Sequence, residues 1–345
     1  MVKLSTLLCG LLNEGGAGGH LQHPFEFAST GAQLASIFAK TVDSLKKGGG
    51  SVKIDGINAS LRLVDDKFVI DRGSAKPLDL KGVRPEDLEN RFGTGHDFIK
   101  IGSTVINIFD ASISTCKPEL ARLGILNNPN ILLNIEYVEG QSNVIGYGDV
   151  GNFLAIHGLK EITPKSFNKD GSVKSRIAKE IPYDTSAMDT YIDKLNSIAL
   201  KYGFKVLGSV DTSFKSTPKL ASVLNSKFTL SPDGKAVTKS LKDWLKQVET
   251  IRKPLITIQE FLRAKNSTNI SQDFVGQNIE KVINDTIVYI ATIALGEEIL
   301  KNATSELGDL QKQEGIVVRD TSIHSAPFKI TGNFIINGLE SKFRK

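Results

Sequence analysis

Apolar residues recur at spacings of three and four in several stretches of the chain, which predicts amphipathic helices. The predicted helices cover approximately residues 4–12, 31–46, 188–202, 241–251 and 279–300. The glycine-rich run at 46–50 is expected to end the second of these helices, and Gly203 the third. Because the last three segments lie between residues 183 and 310, that part of the chain is predicted to be mainly helical.

Strict alternation of apolar and polar residues predicts strands elsewhere. Residues 59–64 and 67–72 alternate on either side of Asp65-Asp66, which is typical of a β-hairpin. Further strand candidates are 105–109, 131–138, 144–146, 153–157, 315–319 and 328–336. The two β-rich parts are expected to form one α+β domain with a helical block inserted between its strands. The predicted boundaries are 1–164 for the first part, 165–310 for the mainly helical insertion and 311–345 for the last strands.

Composition limits the class of protein. Forty per cent hydrophobic and 23% charged residues are typical of a globular chain, and 345 residues suggest about two domains. The 43 lysines and arginines exceed the 38 acidic residues by +5, which permits binding to a polyanion. Only Cys9 and Cys116 are present, so no zinc cluster is expected, and a reducing, cytoplasmic location is the simplest reading. No apolar stretch approaches the roughly 18 residues of a membrane span, so no membrane partner is expected.

Four charged residues stand at strand positions where they can take part in chemistry. Lys53 lies in the segment Lys-Ile-Asp-Gly, after the glycine-rich turn and before the hairpin. A lysine held there can act as a covalent nucleophile if its surroundings lower its pKa, although a surface lysine in a turn is the alternative. Glu136 lies within an apolar strand, Glu314 precedes another, and Lys329 begins a third. Each alone is typical of an edge-strand charge, whereas four in this order indicate a site.

This ordered set resembles the covalent nucleotidyltransferases, the family of ATP-dependent DNA and RNA ligases and mRNA capping enzymes. Residues 53–56 resemble the family's first motif, KxDG, and Asn58 matches the KxxGxN pattern of the RNA ligase 2-like branch. The resemblance implies that Lys53 carries AMP and that Val52 and Asn58 contact the nucleotide. It also matches Arg72 to that branch's arginine on the phosphate side of the site.

The later motifs complete the resemblance. Glu136 matches the carboxylate that serves the ribose or the metal, and Glu314 matches the metal-binding carboxylate of the EGxVxR/K motif. Lys329 matches the first lysine of the KxK motif, which contacts the α-phosphate. Phe153 or Ile156 is expected to cover the nucleobase, and the choice between them stays open.

The implied fold is a ligase-type nucleotidyltransferase domain, with antiparallel sheets flanked by helices. The implied function is an ATP- and Mg²⁺-dependent polynucleotide ligase, closest to an RNA ligase, that acts on RNA or DNA ends or nicks. A lysyl-AMP intermediate passes AMP to a 5′-phosphate, and a 3′-hydroxyl then displaces it. The alternatives are a DNA ligase, a capping-type guanylyltransferase and a non-catalytic homologue that binds a nucleotide or nucleic acid.

Three departures from the family pattern bear on these expectations. Thr331 stands where the second lysine of KxK belongs, which weakens the implied phosphate clamp. The long interval between Glu136 and Glu314 requires an insertion. Only residues 330–345 follow Lys329, so the OB-fold domain of DNA ligases and capping enzymes is expected to be absent. Such variation is frequent among phage-encoded members, for which the host cytoplasm would be the location.

Overall fold

A computed structural model of the chain describes residues 21–28, 31–71, 81–92, 97–139, 147, 150–227, 229–230, 236–237 and 279–332. They form two compact units. Unit 1 contains the described residues of Leu21–Lys53 and Val210–Lys345, and unit 2 contains those of Ile54–Ser209. The chain therefore leaves unit 1 immediately after Lys53. Within the described residues, no helix is long and apolar enough to cross a membrane.

The fold is α+β, with mainly antiparallel sheets and several helices. The helices are α1 (Pro24–Phe27), α2 (Gly31–Leu45), α3 (Pro85–Phe92), α4 (Asp97–Ser112), α5 (Lys117–Arg122), α6 (Thr185–Ala199), α7 (Leu220–Lys227) and α8 (Ile279–Asn302), with short 3₁₀ helices at Leu200–Tyr202 and Leu310–Lys312. The strands are β1 (Gly50–Lys53), β2 (Ile57–Val64), β3 (Lys67–Asp71), β4 (Lys81–Val83), β5 (Ile131–Val138), β6 (Phe153–Phe167), β7 (Val173–Ile181), β8 (Lys205–Leu207), β9 (Ser213–Phe214), β10 (Thr229–Leu230), β11 (Ala236–Val237), β12 (Ala303–Ser305), β13 (Gly308–Asp309), β14 (Gly315–Val318) and β15 (Phe328–Ile330).

Unit 1 is built around a three-stranded antiparallel sheet in the order β1-β14-β15. Helix α2 contacts β14, and α8 contacts both α1 and α2. The buried residues of α2 follow the spacing expected of an amphipathic helix, namely Leu34, Phe38, Val42 and Leu45. After α2, Gly48 takes the left-handed conformation at φ 81°, and the chain turns into β1.

Unit 2 is built around a seven-stranded sheet in the order β4-β3-β2-β5-β6-β7, with β8 added parallel to β6. Helices α3 to α6 supply the apolar side chains that pack on one face of this sheet. The strand residues in that core alternate along each strand, for example Ala59, Leu61 and Leu63 on β2 and Leu133, Ile135 and Tyr137 on β5. The intervening residues of these strands therefore point to the opposite face.

Several sequence predictions are confirmed. The helices predicted near 31–46, 188–202 and 279–300 are present as α2, α6 with its 3₁₀ extension, and α8. The predicted hairpin is β2–β3, and both turn residues, Asp65 and Asp66, have positive φ, as a tight two-residue turn requires. The predicted strand at 131–138 is β5. The segments predicted at 4–12, 144–146 and 241–251 lie outside the described residues.

Other sequence predictions are wrong. Residues 105–109 lie within helix α4 and not in a strand, because their apolar side chains continue a helical face that begins upstream at Gly102. Strand β15 ends at Ile330 within the described part of the chain. The predicted boundary at 164 falls inside β6, and the segment 165–209 supplies β7, α6 and β8 to unit 2. The last strands pair with β1 and not with the large sheet.

Candidate active site

The three-stranded sheet of unit 1 brings the predicted lysines onto one face. In β1, Lys53 pairs with Gly315, and Ser51 pairs with Val317. Val317 pairs in turn with Lys329 of β15. Because residues two apart on a strand and paired residues on neighbouring strands share a face, Lys53 and Lys329 lie on the same face. Both are largely buried.

An ion pair joins the first and fourth predicted motifs. Lys53 Nζ donates a hydrogen bond to Glu314 Oε2 at 2.7 Å, and their side chains are only 11% and 8% exposed. Glu314 immediately precedes Gly315, the strand partner of Lys53, so the pairing of β1 with β14 sets this contact. Two opposite charges withdrawn from water attract each other more strongly than a surface pair. The amine is thus held in a fixed position on the sheet.

Glycine is required at position 315 by the packing of the sheet. Gly315 has φ 156°, and a Cβ at this position would collide with the carbonyl oxygen of Ile330. The same Cβ would lie 3.2 Å from Thr331 Cγ2. A side chain here would therefore separate β14 from β15 and crowd Thr331.

His23, which is not among the predicted site residues, lies beside Thr331. The backbone nitrogen of Lys329 donates to the Gln22 carbonyl at 2.8 Å, which holds the segment before α1 along β15. His23 Nδ1 then lies 3.5 Å from Thr331 Oγ1. An imidazole thus stands next to the position that the resemblance assigns to a second lysine. Scattered histidines carry no periodic signal, so only the β15 contact reveals His23.

A second group of predicted residues lies in unit 2. Asn58 on β2 pairs with Glu136 on β5, and Asn58 Nδ2 lies 3.3 Å from Glu136 Oε2. His157 Nε2 on β6 approaches the same oxygen at 3.4 Å. The alternation of the strands places Asn58 and Glu136 on the face opposite the helices. The buried carboxylate of Glu136 therefore has an amide and an imidazole beside it, and His157 was not predicted from sequence.

The glycine of the first motif is also explained by close packing. A Cβ on Gly56 would lie 2.7 Å from Glu136 Cγ and from the Tyr137 carbonyl oxygen, closer than real Cβ atoms come. The backbone nitrogen of Asp55 donates to the hydroxyl of Tyr147 at 2.6 Å. Burial and the hydrogen bond to Glu139 raise the pKa of Tyr137 above its ordinary value of 10.0, so its hydroxyl stays protonated. The segment 54–56 is therefore packed tightly on β5.

The two candidates for covering a nucleobase differ in their surroundings. Ile156 is buried in the core that faces the helices, where its side chain packs among apolar residues. Phe153 lies outside that core and makes an edge-to-face contact with Tyr147, with ring centroids 5.1 Å apart. Phe153 is nevertheless fully buried. Of the two, Phe153 is the one consistent with the face that carries Glu136.

The other predicted residues, Val52 and Arg72, give less support to the candidate site. Val52 is buried, and its strand position directs its side chain to the face opposite Lys53, so side-chain contact with the same ligand is not expected. Arg72 lies outside the described residues. In the part of the chain that is described, no three His, Cys, Asp or Glu side chains form a cluster able to hold a metal ion.

Comparisons with protein-family models, curated proteins and solved structures found no match for this chain. The candidate site therefore depends on its own geometry. That geometry joins Lys53, Glu314 and Lys329 within unit 1, and Asn58 with Glu136 within unit 2.

Proposed function

We propose that this chain is an ATP-dependent polynucleotide ligase that acts through a lysyl-AMP intermediate, with RNA ends or nicks as its substrate class. The supporting observation is the Lys53–Glu314 ion pair on the sheet face that also carries Lys329. A buried lysine beside a carboxylate and a second lysine suits covalent transfer of an anionic group. The sequence resemblance supplies the identity of that group.

In the first step, Lys53 Nζ attacks the α-phosphorus of ATP, and the bond to the departing pyrophosphate breaks. The amine must lose its proton to solvent before it attacks, and the hydrogen bond from Nζ to Glu314 Oε2 fixes the position of the amine. Lys329 neutralises charge that develops on the α-phosphate oxygens. His23 stands beside Thr331, where it can donate a further hydrogen bond to the phosphate.

The donor set fits Mg²⁺ in the way that this ion binds nucleotides. Mg²⁺ is held in phosphoryl-transfer sites through one or two carboxylates together with substrate phosphates, and Glu314 is the carboxylate that the resemblance assigns to the metal. When bound, the ion would neutralise phosphate charge and orient the leaving group. Glu314 would hold the ion, and because its charge would then be shared with Mg²⁺, its attraction for the Lys53 ammonium would weaken.

For Glu136 and Asn58 the sequence resemblance implies contacts to a nucleoside, and unit 2 places these two side chains together. The Glu136 carboxylate is suited to accept hydrogen bonds from ribose hydroxyls, and Asn58 holds that carboxylate in place. His157 adds a third polar group at the same oxygen. Once AMP is on Lys53, a 5′-phosphate takes it from the amine. A 3′-hydroxyl then attacks the activated phosphate and releases AMP, which seals the strand.

Incubation with α-labelled ATP and Mg²⁺, followed by denaturing electrophoresis, tests the first step. Wild type is expected to carry the label, and Lys53→Arg is expected to carry none because guanidinium stays protonated. Lys46→Arg is the matched control, since Lys46 is an exposed lysine of unit 1 near Asp43. Label that persists on Lys53→Arg would reject the nucleophile.

Two alternatives give different results in the same assay. Labelling by GTP and not by ATP would indicate guanylyl transfer. Nucleotide binding without any adduct would indicate a non-catalytic homologue, an alternative that Thr331 favours because the second lysine is missing. Sealing assays on nicked RNA, nicked DNA and single strands then assign the substrate.

A further inference from the structure

The end of the β6–β7 hairpin exposes an apolar pair to solvent. Phe167 and Val173 are cross-strand partners, and they are 59% and 45% exposed. Strand β5 begins at Ile131, which pairs with Glu161, so beyond that point the two strands of the hairpin pair only with each other among the described residues. We call residues 163–175 the hairpin tip. An aromatic ring exposed at such a position is the kind of side chain that binding partners cover.

The hairpin tip is held in shape by its turn. Asn168 N donates to the Ser172 carbonyl at 2.8 Å, and Asn168 Nδ2 donates to Ser172 Oγ at 2.8 Å. Asp170 Oδ1 accepts from Ser172 N at 3.0 Å and from Ser172 Oγ at 2.6 Å. These hydrogen bonds tie the acidic side chain of Asp170 into the turn.

A buried ion cluster anchors the base of the tip. Arg176 on β7 donates from both terminal nitrogens to the two oxygens of Asp71, at 3.2 and 3.0 Å. Arg62 Nε donates to the same carboxylate at 2.8 Å. Asp71 is fully buried. Because an isolated two-stranded ribbon is only marginally stable, this anchor fixes where the tip points.

The charges of the tip favour an anionic partner. Lys165, Lys169 and Lys174 are all exposed, and the acidic residue among them is Asp170. Exposed lysines around an exposed aromatic ring match single-stranded nucleic acid, in which phosphates alternate with bases that stack on side-chain rings. An apolar protein partner would explain Phe167 but not the lysines.

We propose that the hairpin tip binds single-stranded nucleic acid, with Phe167 stacking on a base and the three lysines contacting phosphates. The identity of the partner rests on the proposed function, whereas the surface does not. The tip would hold the polynucleotide that the ligase joins.

Fluorescence anisotropy with labelled single-stranded RNA and DNA of about 12 nucleotides measures this binding directly. Phe167→Ala is expected to weaken binding at least about fivefold, the lower end for loss of one stacked base. Combined Lys165→Gln, Lys169→Gln and Lys174→Gln is expected to reduce the slope of log Kd against log salt by about 2, as loss of three phosphate contacts requires.

Unit 2 supplies a matched control. Tyr202 is an aromatic residue 43% exposed outside the tip, and Lys201 beside it is also exposed. Tyr202→Ala with Lys201→Gln is expected to bind as wild type does. Circular dichroism of each variant verifies that the exposed substitutions leave the fold intact.

The proposal would be overturned by no binding by wild type, by unchanged binding by Phe167→Ala, or by equal losses in the Tyr202 control. Conversion of a dimer to a monomer by Phe167→Ala, with binding unchanged, would make the tip a self-association surface and would also overturn it. The assay for adduct formation on Lys53 needs no polynucleotide, so it tests the proposed function independently of binding at the hairpin tip. Tip-dependent binding without any adduct would reject the ligase and retain the tip.

Discussion

Replacing Lys53 by methionine should destabilise unit 1, because it removes the cation that lies 2.7 Å from the buried Glu314 carboxylate. The two side chains are 11% and 8% exposed, and Nζ and Oε2 lie 2.7 Å apart, so solvent screens the pair little. Removal of one partner from such a pair costs about 3–5 kcal/mol. That is a large share of the roughly 5–15 kcal/mol by which a domain is stable.

The double variant Lys53→Met with Glu314→Leu removes both charges. Apolar residues of similar volume often replace a buried ion pair with little loss, so the double variant should be more stable than Lys53→Met alone. The two single effects should therefore fail to add, by about 2 kcal/mol or more. Lys46→Met is the control, because its partner Asp43 and Lys46 itself are exposed and the pair is worth at most about 1 kcal/mol.

Urea unfolding followed by circular dichroism gives these free energies, and hydrogen exchange of β1 and β14 amides localises the change to unit 1. Strict additivity, or a Lys53→Met effect no larger than that of Lys46→Met, would refute the reasoning. The outcome also bears on activity tests. If Lys53→Met unfolds unit 1, its inactivity carries no information about chemistry, and the charge-preserving Lys53→Arg becomes the decisive variant.

Three further predictions follow from individual contacts. Gly315→Ala should cost about 1–3 kcal/mol in urea unfolding and slow adduct formation, because the new Cβ collides with the β15 backbone; an unchanged midpoint would contradict this. Thr331→Lys should speed adduct formation at limiting ATP, and an unchanged rate would argue against a phosphate contact there. The hydrogen bond from Lys194 lowers the pKa of Glu119 below its ordinary value of 4.5, so this contact stabilises the protein above that pH and is lost as pH falls through the folded pKa. The difference in urea midpoint between wild type and Glu119→Gln should therefore shrink in acid, and a difference that grows in acid would contradict the sign.

The local pattern of apolar and polar residues was sufficient to predict a helix or strand that has one buried side and one exposed side. Helix α2 and the hairpin β2–β3 have such faces, and their periods of 3.6 and 2 stand out in the sequence. The strand prediction for residues 105–109 was wrong because this run is almost uniformly apolar. Four of these five side chains are buried in α4, and a short apolar run has no clear period of its own. Only the longer segment from Asp97 to Ser112 distinguishes helix from strand.

Long-range pairing explains what the sequence could and could not indicate about the site. Motif order singled out Lys53 and Glu314, but their contact depends on β1 pairing with β14 across most of the chain. No local periodicity encodes that pairing. His23 and His157 are not among the predicted site residues for the same reason, since each becomes relevant only through a neighbouring strand. The boundary at 164 failed because β6 continues through it to Phe167.

The Glu-Gly sequence at 314–315 has a physical basis in this pairing. Position 315 lies directly opposite Lys53, yet a side chain there would strike β15, so it cannot supply the carboxylate. The residue just before the strand is the nearest one able to reach Nζ, and Glu314 occupies it. A glutamate at position 315 would collide with β15, so the glycine that follows Glu314 is what allows β14 to pair closely with β15 while Glu314 reaches Lys53.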